Sequence, residues 1–210
     1  EISACLVGSE MCIRDREVLE RQSNRLKKLI EDLIEASKAS TGNLAVHLEK
    51  LEAGVSVVQI VGEFEDKLNA ADLTLLIQKP ETPVYVMADG RHFWRVIDNL
   101  MNNICKYAQP GTRVYVDLRE NGGQVELIFR NTSRYPLNIS SEELMERFVR
   151  GDESRNTEGS GLGISIAKSL MELMGGSFML YVDGDLFKVV LGFAQIAEEK
   201  EPLNEDESGK

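Results

Sequence analysis

Several features that would indicate other classes of protein are missing from this chain of 210 residues. No stretch approaches the roughly eighteen apolar residues of a membrane span, so we expect no membrane contact from this part of the protein. An excess of positive charge is also missing, since 24 lysines and arginines stand against 35 acidic residues. The formal net charge of −11 excludes a general basic surface for nucleic acid, and any phosphate ligand must be held by local groups.

Cysteine contributes little, because two of the three cysteines lie in an unusual N-terminal segment. Residues 6–15 read LVGSEMCIRD, which is similar to a translated sequencing adaptor, and we expect residues 1–16 to be such an artefact or disordered. Cys105 alone supports neither a disulfide framework nor a zinc site, and it suits a reducing cytoplasm. At the other end, the acidic residues 197–210 predict a disordered tail.

A long helix is predicted from Arg16 to about Ser40, where glycine and proline are absent and good helix formers are abundant. Its apolar positions follow a heptad spacing that includes Leu19, Leu26, Ile30 and Leu33. One helix cannot bury such a stripe alone. The pattern therefore favours partner helices from an upstream segment or a second chain, with packing on its own domain as the alternative.

A second region is expected from residue 54 to 196, after a linker at 41–53. Its patterns alternate between helices and hairpins, which predicts an α/β two-layer sandwich with helices on one face of a mixed, mostly antiparallel sheet. The expected helices cover 56–69, 90–107, 141–148 and 162–174, and the expected strands 73–78, 84–87, 113–119, 124–130, 177–182 and 186–193.

The segment Gly159–Lys168 reads GSGLGISIAK and runs three alternate glycines into an amphipathic helix. Glycine permits a positive φ and close approach of a ligand to the backbone, and the N-terminus of a helix attracts anions. Glycines also mark plain turns and close packing, so this signal alone is weak.

The helix 90–107 strengthens the prediction of a phosphate site, because several of its polar residues share one half-buried face. These residues are Asn99, Asn103, Lys106 and Tyr107. A carboxamide oxygen suits Mg²⁺ and lysine neutralises phosphate, so this face could hold a Mg²⁺-nucleotide. An ordinary helix with a polar outer side is the alternative.

Together these segments resemble sensor histidine kinases of two-component systems. NLMNNICKYA (99–108) is similar to their N-box, MERFVR (145–150) to their F-box and GSGLGISIAK to their second glycine box. The resemblance covers about residues 17–194. It implies the Bergerat fold of the GHKL type for the ATP-binding domain, with 17–40 as the second helix of a dimerisation and phosphoacceptor hairpin.

The resemblance also implies roles for individual residues. Asn103 would bind Mg²⁺, Lys106 and Tyr107 would contact the nucleotide, and Arg150 would reach the γ-phosphate of ATP. Residues 151–158 would form a mobile lid. The remaining implied ATP contacts are Asn131, Phe148, Gly159, Ser160, Gly161, Leu162 and Gly163.

Position 99 favours phosphoryl transfer over hydrolysis, because related ATPases carry a glutamate there as general base and Asn99 cannot take a proton. The implied partners are a second copy of the chain, joined through the hairpin, and the receiver domain of a response regulator. The parent protein would be membrane-anchored, with this part on the cytoplasmic side.

Two departures from the family pattern leave an alternative open. Asn131 stands where many members have an aspartate, and the following Thr-Ser-Arg-Tyr lacks their two glycines, so adenine recognition would be weaker and the loop stiffer. Neither His47 nor His92 lies in an acceptor-like segment. A nucleotide-binding pseudokinase or interaction module therefore remains the second hypothesis, while a serine kinase of the anti-sigma type is disfavoured by the heptad helix.

Overall fold

A seven-stranded mixed sheet organises the chain in a computed structural model that describes residues 2–137, 140–145 and 161–196. The helices are α1 (Ile2–Ser40), α2 (Ala53–Gly62), α3 (Glu65–Ala70), α4 (Gly90–Tyr107), α5 (Ser141–Met145) and α6 (Gly163–Leu173). The strands are β1 (Glu49–Glu52), β2 (Leu73–Gln78), β3 (Tyr85–Ala88), β4 (Thr112–Asn121), β5 (Gln124–Thr132), β6 (Ser177–Asp183) and β7 (Leu186–Ile196).

The strand order is β1-β3-β7-β5-β4-β2, with β6 also paired to β7. The β2–β4 pair is parallel and the other pairs are antiparallel. Alternate residues of β4, β5 and β7 point into one apolar core with α2, α4 and α6, for example Val116, Phe129 and Leu191. The predicted sandwich with helices on one face is confirmed.

Apart from shifts of a few residues at strand ends, the structure differs from the sequence-based expectation in three places. The first helix begins at Ile2 instead of near Arg16. The expected linker contributes β1, a short strand with charged residues that had no alternating apolar pattern and forms by pairing with β3. The expected helix 56–69 is divided into α2 and α3 at Glu63 and Phe64, where Phe64 turns into the core and is 3% exposed.

None of the described helices is both long enough and apolar enough to cross a lipid bilayer. The heptad positions of α1 are exposed, including Leu19, Leu26, Ile30 and Leu33. The opposite side of the helix buries Asp32, Ala36 and Ala39. The expectation that the apolar stripe of α1 meets a partner helix stays a prediction.

Asp89 joins the segment before β1 to the start of α4. Its carboxylate accepts hydrogen bonds from the backbone N–H groups of Arg91, His92 and His47, the last at 2.9 Å. Burial opposes ionisation of Asp89, but the N–H groups of His47 and His92 outweigh it and hold the pKa of the carboxyl below its ordinary value.

Asp89→Ala should therefore lower the free energy of unfolding by about 2 kcal/mol at neutral pH, because it removes a helix cap and a link between segments. Since the pKa is lower in the folded state, this contribution is present at neutral pH and disappears as the pH falls through the folded-state pKa. Urea denaturation at several pH values measures the difference. Glu81→Ala, at an exposed turn position, serves as the control and should leave stability nearly unchanged.

Candidate nucleotide-binding site

Helix α4 presents the polar face that the sequence predicts. Its apolar positions Val96, Leu100 and Ile104 are buried in the core. Asn99, Asn103, Lys106 and Tyr107 remain partly exposed along the edge of that buried stripe. The face is therefore next to the core, where solvent access is limited and polar groups gain from specific partners.

The glycine segment meets this face at Gly163. Gly161 has a φ of +70°, a left-handed conformation that favours glycine, and α6 begins two residues later. A Cβ placed on Gly163 would lie 3.5 Å from Oδ1 of Asn99, so the start of α6 lies beside this amide. The structure thus brings together Asn99 and Gly163, which are far apart in the sequence.

The N-terminus of α6 has no side-chain cap. Leu162 occupies the N-cap position, is 1% exposed, and has no side chain that could accept from the first N–H groups. Ser165 uses its hydroxyl to donate to the carbonyl of Leu162 at 2.9 Å. A helix that starts without a capping oxygen, after a left-handed glycine, is suited to hold an anion.

The neighbouring asparagines of α4 differ in their partners. Asn102 is engaged in the fold, because its Nδ2 donates to Asp98 and its Oδ1 accepts from Lys67 at 3.2 Å. The side chain of Asn103 makes no hydrogen bond within the described part of the chain, and Nδ2 of Asn99 is buried without a partner there. Asn99 and Asn103 are therefore the two amides that remain available for a ligand.

Lys106 and Tyr107 complete the C-terminal end of this face. The Lys106 ammonium lies 4.8 Å from the centre of the Tyr107 ring, an arrangement that keeps the cation at the edge of the site. Cys105 precedes them. Burial raises the pKa of its thiol, with Lys67 acting in the opposite direction, so the thiol stays protonated at neutral pH.

Asn131 is the penultimate residue of β5 and is 5% exposed. Its Nδ2 donates to the carbonyl of Thr132 at 3.2 Å, and Gln109 N–H donates to the same carbonyl at 2.9 Å. The carbonyl can only accept, so this contact sets the orientation of the Asn131 amide. Oδ1 of Asn131 is left buried with no hydrogen-bond donor among the residues that the structure describes.

The loop after Asn131 contains no glycine at residues 132–135, and backbone hydrogen bonds to neighbouring segments fix its position. Arg134 N–H donates to the carbonyl of Tyr107 at 2.8 Å, which joins the loop to the end of α4. Ser133 N–H donates to Asp185 at 2.6 Å and Leu137 N–H to Gly184 at 3.1 Å. The turn between β6 and β7 therefore supports this side of the site, a role that the sequence did not predict.

Several predicted site residues lie outside the described ranges. These are Phe148, Arg150, Gly159, Ser160 and the whole expected lid 151–158. Their roles stay predictions. His47 and His92 are described and lie beside Asp89, where His92 Nε2 is 3.1 Å from the carbonyl oxygen of Ala45. Neither histidine is on α1.

A family model described as "Histidine kinase-, DNA gyrase B-, and HSP90-like ATPase" matches residues 88–201, more than half of the 210 residues. Curated relatives include the sensor protein IrlS of Burkholderia pseudomallei, 26% identical over 77% of this chain and 35% of that protein. The sensor protein kinase WalK of Staphylococcus aureus is 25% identical over 76% of this chain and 39% of that protein. The chain spans well under half the length of these relatives.

Solved structures show the same fold. The histidine kinase AdeS of Acinetobacter baumannii superposes with a TM-score of 0.71 at 21% identity, covering 85% of this chain and 82% of that one. Full-length ShkA in complex with AMPPNP superposes with a TM-score of 0.68 at 18% identity, covering 82% of this chain and 37% of that one.

Proposed function

Since this chain belongs to the family of histidine kinase-, DNA gyrase B- and HSP90-like ATPases, we propose that it is the C-terminal part of a sensor histidine kinase. In this proposal, the γ-phosphoryl group of Mg²⁺-ATP is transferred to a histidine other than His47 and His92, and then to a response regulator. The observation that carries the proposal is the position of Asn99 beside the start of α6, where an amide stands instead of a carboxylate.

Two buried polar atoms support the fit of an adenine nucleotide. Oδ1 of Asn131 is an acceptor that lacks a donor within the described ranges, and the amino group of adenine would supply one. Nδ2 of Asn99 is a buried donor that lacks an acceptor within the described ranges, and it belongs to the amide whose Oδ1 lies beside the start of α6. A phosphate oxygen near α6 would satisfy it. The loss of these contacts would leave both atoms unpaired, which is unfavourable in a buried site.

Mg²⁺ would be held by Asn103 together with the phosphates. The described residues contain no group of three or more His, Cys, Asp or Glu side chains arranged to hold a metal, so this part of the chain offers no cage of its own. A single carboxamide oxygen is a common contribution to a cation that also binds substrate phosphates. When bound, the cation neutralises charge on the transferred group.

The protein's own groups would bind and orient the substrate. The N–H groups at the start of α6 and the Lys106 ammonium would attract the phosphates, and Arg150 would stabilise the charge on the γ-phosphoryl group. Asn99 cannot accept a proton from water, so it would donate a hydrogen bond without activating hydrolysis. Phosphoryl transfer would then require the imidazole of a histidine. A neutral imidazole is a nucleophile without a general base to remove a proton from it.

The partners follow from the same proposal. The exposed heptad positions of α1 support a homodimer formed through a helical hairpin, since an apolar stripe of this length needs other helices. The receiver domain of a response regulator would accept the phosphoryl group. The site would face the cytoplasm in a membrane-anchored parent protein.

A pseudokinase or interaction module is the second candidate. The neutral Asn131 and the glycine-free residues 132–135 favour it, because both depart from the family pattern on the adenine side. In that case the domain would bind nucleotide without transferring phosphoryl groups.

Transfer of labelled phosphate separates the two candidates. The chain is incubated with γ-labelled Mg²⁺-ATP and a separately supplied acceptor hairpin, and acid-labile, base-stable label on the hairpin is measured. A kinase labels the hairpin but not its His→Ala control. Nucleotide binding without label would favour the pseudokinase, and absence of nucleotide binding would contradict both.

A further inference from the structure

The hairpin turn between β6 and β7 consists of Gly184 and Asp185, because Asp183 is still paired with Leu186. Gly184 has a φ of +60°, whereas the φ of Asp185 is not positive. This combination matches a type II′ turn, which places glycine at its first central position. A Cβ added to Gly184 would meet no atom within 4 Å, so the need for glycine comes from the backbone conformation and not from crowding.

Both carbonyl groups of this turn accept hydrogen bonds from the loop that follows Asn131. The Asp185 carbonyl accepts from Ser133 N–H at 2.6 Å, and the Gly184 carbonyl accepts from Leu137 N–H at 3.1 Å. Both turn residues are exposed, and neither is among the predicted nucleotide contacts. The turn therefore acts on the site only through the loop.

One peptide group links the turn to the side chain of Asn131. Ser133 N–H and the Thr132 carbonyl belong to the same planar peptide, so a partner that fixes one of them also orients the other. The Asp185 carbonyl holds the N–H side. On the other side, the Thr132 carbonyl accepts from Nδ2 of Asn131 at 3.2 Å and from Gln109 N–H at 2.9 Å. The turn is thus one of two anchors for the peptide that orients the buried amide.

The orientation of this amide decides which base can bind in the proposed site. With Oδ1 toward the ligand, Asn131 accepts a hydrogen bond from an amino group, and with Nδ2 toward the ligand it donates to a carbonyl. The two orientations have almost the same shape, so packing alone does not distinguish them. The hydrogen bond to the Thr132 carbonyl favours the first orientation, in which Oδ1 is left for the ligand.

We propose that Gly184 is a positioning residue for base selection. Its type II′ turn holds the peptide between Thr132 and Ser133 in the orientation that makes Asn131 prefer a base with an amino group over one with a carbonyl. The selection of the base rests on the proposed function, whereas the positioning of the loop by the turn does not.

Gly184→Val tests both parts in the complete chain. Valine strongly disfavours a positive φ, so the turn should rearrange and displace the Asp185 carbonyl. In the nucleotide-free protein, amide exchange at Ser133, followed by NMR, is expected to rise about tenfold. The preference for ATP over inosine triphosphate should fall from about tenfold or more to about threefold or less. Gly184→Ala should act in the same direction to a smaller extent, and it serves if Gly184→Val fails to fold.

The two nucleotides should respond differently to Gly184→Val. ATP should bind more weakly, while inosine triphosphate should bind as well as before or better, because the freed amide can turn its Nδ2 toward the carbonyl of the base. A general loss of stability would weaken the binding of both nucleotides alike. The ratio of the two affinities therefore separates positioning from a merely structural role.

Gly122→Val is the matched control in the β4–β5 turn. Gly122 has a φ of +59°, and a Cβ added there would also meet no atom within 4 Å. The variant should cost a comparable amount of stability while leaving the nucleotide preference unchanged. An equal loss of preference in Gly122→Val and Gly184→Val would overturn the proposal.

The double variant Gly184→Asn with Asp185→Gly separates the two carbonyls of the turn. The sequence Asn-Gly favours a type I′ turn, which keeps the hairpin but turns over the peptide between residues 184 and 185. Exchange at Leu137 should therefore rise, while exchange at Ser133 and the preference for ATP should be retained. Loss of the preference with Ser133 still protected would contradict the role of the peptide at 132–133.

The remaining outcomes also decide the proposal. Unchanged exchange at Ser133 in both Gly184→Val and Gly184→Ala would overturn the positioning of the loop. Faster exchange with an unchanged nucleotide preference would overturn the role in base selection. If the parent chain binds neither nucleotide, the proposed function fails and base selection fails with it, while exchange at Ser133 still decides whether the turn positions the loop.

Discussion

Asn103→Ala is expected to lower the affinity for Mg²⁺-ATP by about 100-fold and to reduce labelling of an acceptor hairpin at least as much. The variant removes the carboxamide oxygen proposed to hold Mg²⁺, and a contact to a charged group that is worth about 2–3 kcal/mol corresponds to a change of this size. Isothermal titration with and without Mg²⁺ measures it. Because the contact is made to the cation, the affinity for metal-free ATP should change much less.

Asn102→Ala provides the matched control at the next position of α4. Its amide is already used by Asp98 and Lys67, so the variant should cost some stability while leaving Mg²⁺-ATP affinity within about twofold. Equal affinities for Asn103→Ala and the parent chain would contradict the proposed magnesium ligand. Equal losses in both variants would point to a general disturbance of α4 instead of a specific contact.

Asn131→Leu is expected to lower ATP affinity by about 30-fold, because it removes the buried acceptor proposed for the adenine amino group. Asn131→Asp should act in the opposite direction. A charged acceptor forms a hydrogen bond roughly twice as strong as a neutral one, so ATP should bind several-fold more tightly. Competition binding with a fluorescent ATP analogue measures both variants.

Inosine triphosphate tests the same contact from the ligand side, because it carries a carbonyl where adenine carries the amino group. Two acceptors would then face each other, since the Thr132 carbonyl prevents the Asn131 amide from turning over. We expect the parent chain to bind inosine triphosphate at least tenfold more weakly than ATP, and Asn131→Leu to lose this preference. An undiminished preference in Asn131→Leu would show that the base is recognised elsewhere.

The sequence predicts most of the elements around the site, for reasons that are local. Asp89 caps α4, and the apolar positions of that helix repeat with its period, so its boundaries agree with the expectation. The start of α6 after the glycines agrees as well. The sequence also predicted that the helix face with Asn99 and the glycine segment with Gly163 form one site, because each segment is recognisable by itself.

Long-range contacts between ordinary residues were not predictable. β1 has no alternation of apolar and polar residues, and it forms by pairing with β3. Phe64 interrupts a sequence that favours a helix, because its ring is buried in the core. The orientation of the Asn131 amide depends on the carbonyl of the next residue and on Gln109. Arg95 likewise has nothing distinctive in its local sequence, since its acidic partners on α1 lie about sixty residues away.

The order of strands has a consequence for the way this domain is made. β7 pairs with β3, β5 and β6 near the middle of the sheet, yet it is the last strand among the residues that the structure describes. On a ribosome, β1 and β3 would emerge early without the neighbour that links them to β5. We therefore expect the sheet to be completed only after Ile196 has left the exit tunnel, so that nascent chains stalled before β7 stay sensitive to protease.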